Sequence, residues 1–175
     1  MKVSEITSVI EAVAPLRWQE SYDNAGLIVG RPDDEVHAAL LAVDVTEEVI
    51  REAVERGCGL IVTHHPIIFH PLKRLNSASQ VERCVEEAIR RGIALYACHT
   101  NLDSAPEGMS FRLAEMLGVK NCSLLEPNER IEGVGFGVVG ELPEPIPTEE
   151  YLQRVREVLG CACIRHSRIA SEQAR

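Results

Sequence analysis

Hydrophobic positions recur along the chain with a helical period in some segments and run continuously in others. Residues 3–14 have apolar side chains three and four positions apart and stop at Pro15, which predicts an amphipathic helix. Short continuous apolar runs, typical of strands buried on both faces of a sheet, occupy residues 39–45, 60–63 and 93–98. Segments with helical spacing follow the first two runs, at residues 46–56 and 79–92. This alternation predicts an α/β fold with a parallel-type sheet flanked by helices.

The pattern changes towards the end of the chain. Residues 132–142 alternate glycine with apolar side chains, which is typical of a strand that lies close to another backbone. A helix is predicted at residues 148–159 and a strand at residues 161–164. These elements are too few to bury a core of their own. We therefore predict an α/β lobe at residues 1–125 and an incomplete second lobe, strand–helix–strand, at residues 126–175.

One connecting segment has an unusual composition. Residues 66–75 contain two prolines but are otherwise rich in apolar side chains. Connections between helices and strands normally run over the surface and are exposed to water. We therefore predict that this segment packs against the protein, either as a lid or as part of an interface.

Composition excludes several classes of function. The formal net charge of −9 argues against a protein that binds the nucleic-acid backbone, which normally needs a basic surface. The first five residues are not followed by the apolar segment of a secretory signal, and no apolar run reaches the length of a membrane span. The six cysteines are scattered along the chain, which predicts free thiols and a cytoplasmic location.

Histidines follow two of the predicted strands at the point where each strand ends. His64 and His65 come directly after one apolar run, and His99 follows the next, with Asp103 four positions later. The carboxyl ends of parallel strands meet at one edge of a sheet, and ligands bind there. Three imidazoles and a carboxylate gathered at that edge are typical ligands of a transition metal. The sequence therefore predicts a metal site in the lobe of residues 1–125.

The adjacent histidines favour two ions rather than one. Side chains of neighbouring residues in a strand point to opposite faces, so His64 and His65 can serve two neighbouring ions where the strand ends. Asp103 offers two oxygens and can bridge the ions, which in such sites lie roughly 3.5–4 Å apart. A divalent ion can lower the pKa of bound water from about 16 to about 7. Side chains predicted to hold the imidazoles in place are those of Thr63, Thr100 and Asn101.

Other polar residues have simpler interpretations. The remaining histidines are interpreted as structural: His37, His70 and His166. Asp44 is interpreted as a loop or cap residue, although it also lies at a strand end on the ligand edge, and Asp23 and Asn24 as turn residues. Cys98 beside His99 would have poor geometry for a nucleophile and its base, because neighbours on a strand point apart.

Three motifs in the chain resemble the signatures of a known family. They are residues 23–30 (DNAGLIVG), 63–69 (THHPIIF) and 99–103 (HTNLD), supported by residues 41–46 and 117–119. Together they resemble the Nif-three-like family of dinuclear-metal proteins, which carries the description type 2 GTP cyclohydrolase I. The likeness covers nearly the whole chain.

The resemblance implies a two-lobed α/β protomer in a toroidal homohexamer with two metal ions per protomer. By motif match, His64, His65 and Asp103 would be metal ligands, and His99 would lie in or beside the ligand set. The cyclohydrolase description implies hydrolytic opening of a purine ring by metal-activated water. The family also carries a C-terminal His and Glu, four residues apart, that complete the ligand set. This sequence reaches Arg175 without that motif, so we expect either a truncated form of such a protein or a ligand shell completed by water or another chain.

Two functional hypotheses follow, and the residues alone leave both open. The first is a cytoplasmic metal-dependent hydrolase of a small molecule, holding zinc, iron or manganese at His64, His65 and Asp103. The second is a non-catalytic oligomeric scaffold or regulatory protein, in which the metal site is structural or vestigial. Neither hypothesis requires a membrane or a nucleic acid.

Overall fold

The computed structural model describes residues Met1–Arg175 and divides into two compact units, Met1–Ala105 and Pro106–Arg175. The sequence prediction placed the boundary later, after residue 125. The first unit has one four-stranded sheet, and the second has two sheets of two strands each. The earlier boundary follows from strand pairing, because residues 120–127 form a strand that pairs only with a later part of the chain.

The first unit has the predicted alternation of strands and helices. Its elements are α1 (Val3–Val13), a 3-10 helix (Leu16–Trp18), β1 (Gly26–Val29), β2 (Ala39–Ala42), α2 (Glu47–Glu55), β3 (Leu60–Thr63), α3 (Gln80–Arg91), β4 (Ala94–Ala97) and α4 (Thr100–Asp103). The strand predicted at residues 39–45 ends at Ala42, because the chain turns toward Thr46, the N-cap of α2. None of the helices in the structure is both long enough and apolar enough to cross a membrane.

The sheet of the first unit brings three strand ends to one edge. Its order is β1-β4-β3-β2, in which β2, β3 and β4 are parallel and β1 runs antiparallel to β4. The parallel-type sheet predicted from the sequence is confirmed, with β1 as an antiparallel edge strand. Ala42 is level with Thr63, and Thr63 is level with Ala97. The residues that follow these three strands therefore leave the sheet side by side.

Hydrophobic cores lie on both faces of this sheet. Ile61 and Leu95 face a cluster with side chains from α2 and α3, whereas Leu60, Ala94 and Tyr96 face a cluster that includes Val3 of α1. The alternation of neighbouring strand residues between the two clusters is the expected consequence of the pleat. The loop at residues 66–75 packs part of its apolar side chains on the first cluster: Ile67, Ile68 and Leu72. Both faces thus hold the strand ends in fixed positions.

Removing the N-cap of α2 should destabilise the first unit. The Thr46 hydroxyl accepts a hydrogen bond from the Val49 amide at 3.2 Å, which satisfies one free N–H of the first turn. We expect Thr46→Ala to lower the free energy of unfolding by about 1 kcal/mol, measured by urea titration. Thr46→Ser keeps the oxygen and should leave stability near that of the unmodified protein. Equal losses in both variants would contradict the capping role.

The second unit is built on an antiparallel pair of strands. Its elements are α5 (Met109–Leu117), β5 (Lys120–Pro127), β6 (Gly135–Glu141), β7 (Ile146–Pro147), α6 (Thr148–Val158) and β8 (Gln173–Ala174). β5 pairs with β6, and β7 pairs with β8. A Cβ added at Gly135 would lie 2.8 Å from the Pro127 Cα, so the predicted close approach of backbones is confirmed.

The prediction for the second unit missed one strand and was wrong about another. β5 was not predicted, because its polar residues hide the strand pattern. The strand predicted at residues 161–164 is absent, and β8 at Gln173–Ala174 pairs with β7 instead. The amide of Cys161 donates to the Arg156 carbonyl at 3.0 Å and so completes the end of α6. Apolar composition at 161–164 therefore does not make a strand, because no neighbouring strand pairs with it.

Candidate metal centre

Three histidine rings lie together at the carboxyl edge of the first sheet. His64 and His65 follow β3, and His99 follows β4. The ring centroid of His64 lies 4.9 Å from that of His65 and 5.2 Å from that of His99. The centroids of His65 and His99 are 5.7 Å apart. Each residue offers a ligand atom within 4.8 Å of those of the other two. These three side chains form a group that could hold a metal ion.

Each of the three imidazoles is anchored through Nδ1. The contacts are His64 to the Cys98 carbonyl at 2.9 Å, His65 to Asp44 Oδ1 at 2.7 Å and His99 to Asp23 Oδ1 at 2.8 Å. Carbonyl and carboxylate oxygens only accept hydrogen bonds, so each Nδ1 carries the proton and donates. In a neutral imidazole, the Nε2 atom of each ring then keeps its lone pair free. This tautomer is the one that binds metals through Nε2.

Asp23 is the most firmly held of the anchoring groups. Its side chain has no exposed surface, and it accepts hydrogen bonds from the Thr100 amide at 3.1 Å, from the Thr100 hydroxyl and from the Asn24 amide at 2.7 Å. Burial raises the pKa of Asp23, but the hydrogen bonds from Thr100, His99 and Asn24 outweigh it and hold the pKa below its ordinary value. Asp23 therefore stays ionised and orients His99.

The polar residues predicted to hold the imidazoles act on the backbone or through Asp23. The Thr63 hydroxyl donates to the His65 carbonyl at 2.9 Å. Asn101 is fully buried; its Oδ1 accepts from the His99 amide at 2.9 Å and its Nδ2 donates to the Ala14 carbonyl at 2.7 Å. Thr100 contacts Asp23 rather than a ring. These side chains fix the backbone that bears the histidine rings.

Asp103 lies next to the histidine group, at its side nearest His64. Asp103 Oδ1 is 3.7 Å from His64 Nε2, which is too long for a hydrogen bond. Two ligand atoms that each lie about 2.0–2.2 Å from one zinc ion are roughly 3–4 Å apart. The spacing between these two atoms therefore leaves room for an ion that both would contact.

Two residues of the site were missed as imidazole anchors. Asp44 follows β2 at the same sheet edge as the histidines, so the topology predicted from the sequence could have identified it. Asp23 lies in the turn before β1, and the antiparallel pairing of Gly26 with Ala97 of β4 brings this turn to His99. Asn24, which follows Asp23 in the same motif, donates its side-chain amide to the Ile68 carbonyl at 2.7 Å and so holds the loop at residues 66–75.

The residues interpreted as structural lie outside the group. His37, His70 and His166 are not among the three converging histidines. Cys98 is buried, and burial raises the pKa of its thiol, so it is a poor nucleophile. Its contribution to the site is its carbonyl oxygen, which accepts from His64.

The donors at this edge suit a divalent transition metal. Imidazole nitrogens with a free lone pair are borderline-soft ligands preferred by zinc, iron and copper, and a carboxylate oxygen completes many such sites. The surrounding carboxylates, Asp23, Asp44 and Asp103, supply negative charge that balances a bound cation. Because each ring is held by a hydrogen-bond partner, little side-chain freedom is left to be lost on binding.

The whole chain matches one family of proteins. The family model described as Duf34/NIF3 (NGG1p interacting factor 3) matches residues 1–175. A Clostridium acetobutylicum protein named GTP cyclohydrolase 1 type 2 homolog is 34% identical over 167 residues, which are 95% of this chain and 62% of that protein. The chain thus spans less than two thirds of the length of this curated relative.

Solved structures show the same fold. The crystal structure of Staphylococcus aureus protein SA1388 superposes with a TM-score of 0.84 at 27% identity, covering 94% of this chain and 67% of that one. Reduced HcgD from Methanocaldococcus jannaschii superposes with a TM-score of 0.76 at 30% identity, covering 90% of this chain and 60% of that one.

Proposed function

The chain belongs to the Duf34/NIF3 family, and on that premise we propose that it binds divalent metal ions and uses them to hydrolyse a small molecule. In this proposal His64, His65 and His99 are ligands through Nε2, and Asp103 is a further ligand beside His64. The observation that supports it is the anchoring of all three Nδ1 atoms, which leaves three free lone pairs at one edge of the sheet.

We propose two ions per protomer, of zinc, iron or manganese. His64 and His65 leave the strand at adjacent positions, and Asp103 has two oxygens with which to contact two ions. When bound, ions of this kind lower the pKa of coordinated water and polarise a substrate oxygen.

The anchoring carboxylates would tune the ligands. Asp44 and Asp23 accept the Nδ1 protons of His65 and His99, which fixes the rings and makes their Nε2 atoms more basic. Asp23 is buried and held by Thr100, so His99 would be the most rigid ligand. Asp44 is exposed, so His65 keeps more freedom to adjust to a substrate.

A second candidate is a non-catalytic oligomeric scaffold with a structural metal. The observation that favours it is the apolar surface of the edge strand β2, where Leu41 is 77% exposed, followed by the exposed Val43. Exposed apolar residues on an unpaired edge strand are typical of a contact with another chain. The homohexamer expected from the family resemblance would cover such a surface. This candidate uses the same metal site but needs no substrate.

Metal content and turnover separate the two candidates. Elemental analysis of the protein after loading with zinc should give about two ions per protomer. Addition of metal to the metal-free protein should then produce turnover of a nucleotide or another phosphoester if the site is hydrolytic. A rise in melting temperature without turnover would support the scaffold. A folded protein that takes up no metal would contradict both candidates.

Asp23 should matter for metal affinity even though it is not proposed as a ligand. We expect Asp23→Asn to weaken zinc binding by about 10–100-fold, because an amide cannot hold His99 in the same tautomer as a carboxylate. The dissociation constant can be measured by competition with a chromogenic chelator. Asp33→Asn is the matched control, because Asp33 is an exposed carboxylate paired with Lys2 away from the histidines. Equal affinities in the two variants would show that Asp23 does not orient a ligand.

A further inference from the structure

Two aromatic rings are exposed in a chain that has few of them. The sequence contains one Trp, three Tyr and three Phe. Among the strongly exposed large hydrophobic side chains, the only aromatic ones are Tyr22, at 63% exposure, and Phe69, at 40%. Their ring centroids lie 6.5 Å apart with the planes tilted by 59°. Aromatic rings that face water do not gain the free energy of apolar burial. A pair of exposed rings is therefore typical of a surface that receives a ligand.

This aromatic pair borders the histidine group. The centroid of Phe69 lies 6.2 Å from that of His99, with the rings nearly perpendicular at 89°. The two rings therefore meet edge to face, while His99 Nδ1 is held by Asp23. A molecule bound by the histidine group would have Phe69 at its side.

The position of Phe69 is set by the same segment that orients His99. The Asn24 side chain donates to the Ile68 carbonyl at 2.7 Å, and Asn24 follows Asp23 directly. Ile67, Ile68 and Leu72 pack on the hydrophobic cluster beneath the loop. Phe69 is thus exposed on a loop whose neighbours are anchored, so little conformational freedom is lost when a ligand contacts it.

We propose that Tyr22 and Phe69 form an aromatic wall that receives a planar aromatic ring of the substrate, while an oxygen group joined to that ring is held at the histidine group. The inference rests on the proposed metal site and adds the class of substrate. A planar ring gains from stacking or edge contacts with aromatic side chains in a way that an alkyl chain does not. Tyr22 and Phe69 would therefore select aryl over alkyl esters.

Three phosphate monoesters test the wall with the zinc-loaded protein. Phenyl phosphate and cyclohexyl phosphate have the same head group and nearly the same size, but only phenyl phosphate has a planar ring. Ethyl phosphate has the same head group and no ring. By isothermal titration calorimetry we expect phenyl phosphate to bind about 5–100-fold more tightly than ethyl phosphate, with cyclohexyl phosphate well below phenyl. Phe69→Leu should remove most of the preference for the aryl ester, and Phe69→Tyr should retain it.

A matched variant and the solution mass complete the test. Leu75 lies in the same loop and is 48% exposed, so Leu75→Ala should leave the preference for phenyl phosphate unchanged. Equal affinities for the phenyl and cyclohexyl esters, or an unchanged preference in Phe69→Leu, would overturn the aromatic wall while leaving the metal site intact. A smaller assembly in Phe69→Leu would also overturn it, because the rings would then contact another copy. Failure to take up zinc would overturn the proposed function and this inference with it.

Discussion

Replacing His64 with alanine is expected to lower zinc affinity by more than about 100-fold and to reduce the bound metal to well below one ion per protomer. The change removes the Nε2 atom that lies 3.7 Å from Asp103 Oδ1, so the carboxylate no longer has an imidazole ligand beside it. Loss of a group that merely orients a ligand costs about 10–100-fold in affinity, so loss of the ligand itself should cost more. Elemental analysis and chelator competition measure the effect.

The control for this result is a histidine outside the converging group. His37→Ala removes an imidazole that is not part of the converging group and should keep the full metal content. Both variants should have unchanged circular dichroism, because neither side chain belongs to a hydrophobic cluster. Full metal content in His64→Ala would overturn the assignment of the site, whatever the behaviour of His37→Ala.

Truncating Ile61 to alanine should cost about 2–5 kcal/mol of unfolding free energy. Ile61 has no exposed surface and lies at the centre of β3, paired with Leu40 on one side and Leu95 on the other. It packs in the cluster formed with α2 and α3, so the truncation leaves a cavity among buried side chains. Urea titration followed by circular dichroism measures the loss.

An exposed residue of the same sheet provides the comparison. Leu41→Ala removes the same number of carbons from a side chain that is 77% exposed on β2 and should change stability by less than about 0.5 kcal/mol. A loss below about 1 kcal/mol in Ile61→Ala would contradict the packing of the first cluster. Because His64 and His65 directly follow β3, the Ile61 variant should also show weaker zinc binding near its unfolding midpoint.

The sequence was sufficient to predict the sheet edge and the histidines on it. Continuous apolar runs ending in His64-His65 and in His99 indicate buried parallel strands, and the ends of such strands meet by topology alone. The helices predicted at residues 46–56 and 79–92 were also readable, because helical spacing depends on neighbours in the chain. Local patterns were unreliable in the second unit, where β5 and β8 are strands only because other strands pair with them.

What the sequence determined by itself is the set of side chains that can reach one edge of the sheet: His64, His65, His99 and Asp103. Only the tertiary structure decided which groups orient them. Asp23 is 76 positions from His99, and Asp44 is 21 positions from His65, so no local spacing relates either pair. The approach of Phe69 to His99 is likewise set by loop packing. The spacing of apolar residues in helices and strands is a short-range property. Hydrogen bonds between distant segments depend on how the whole unit packs around its hydrophobic core.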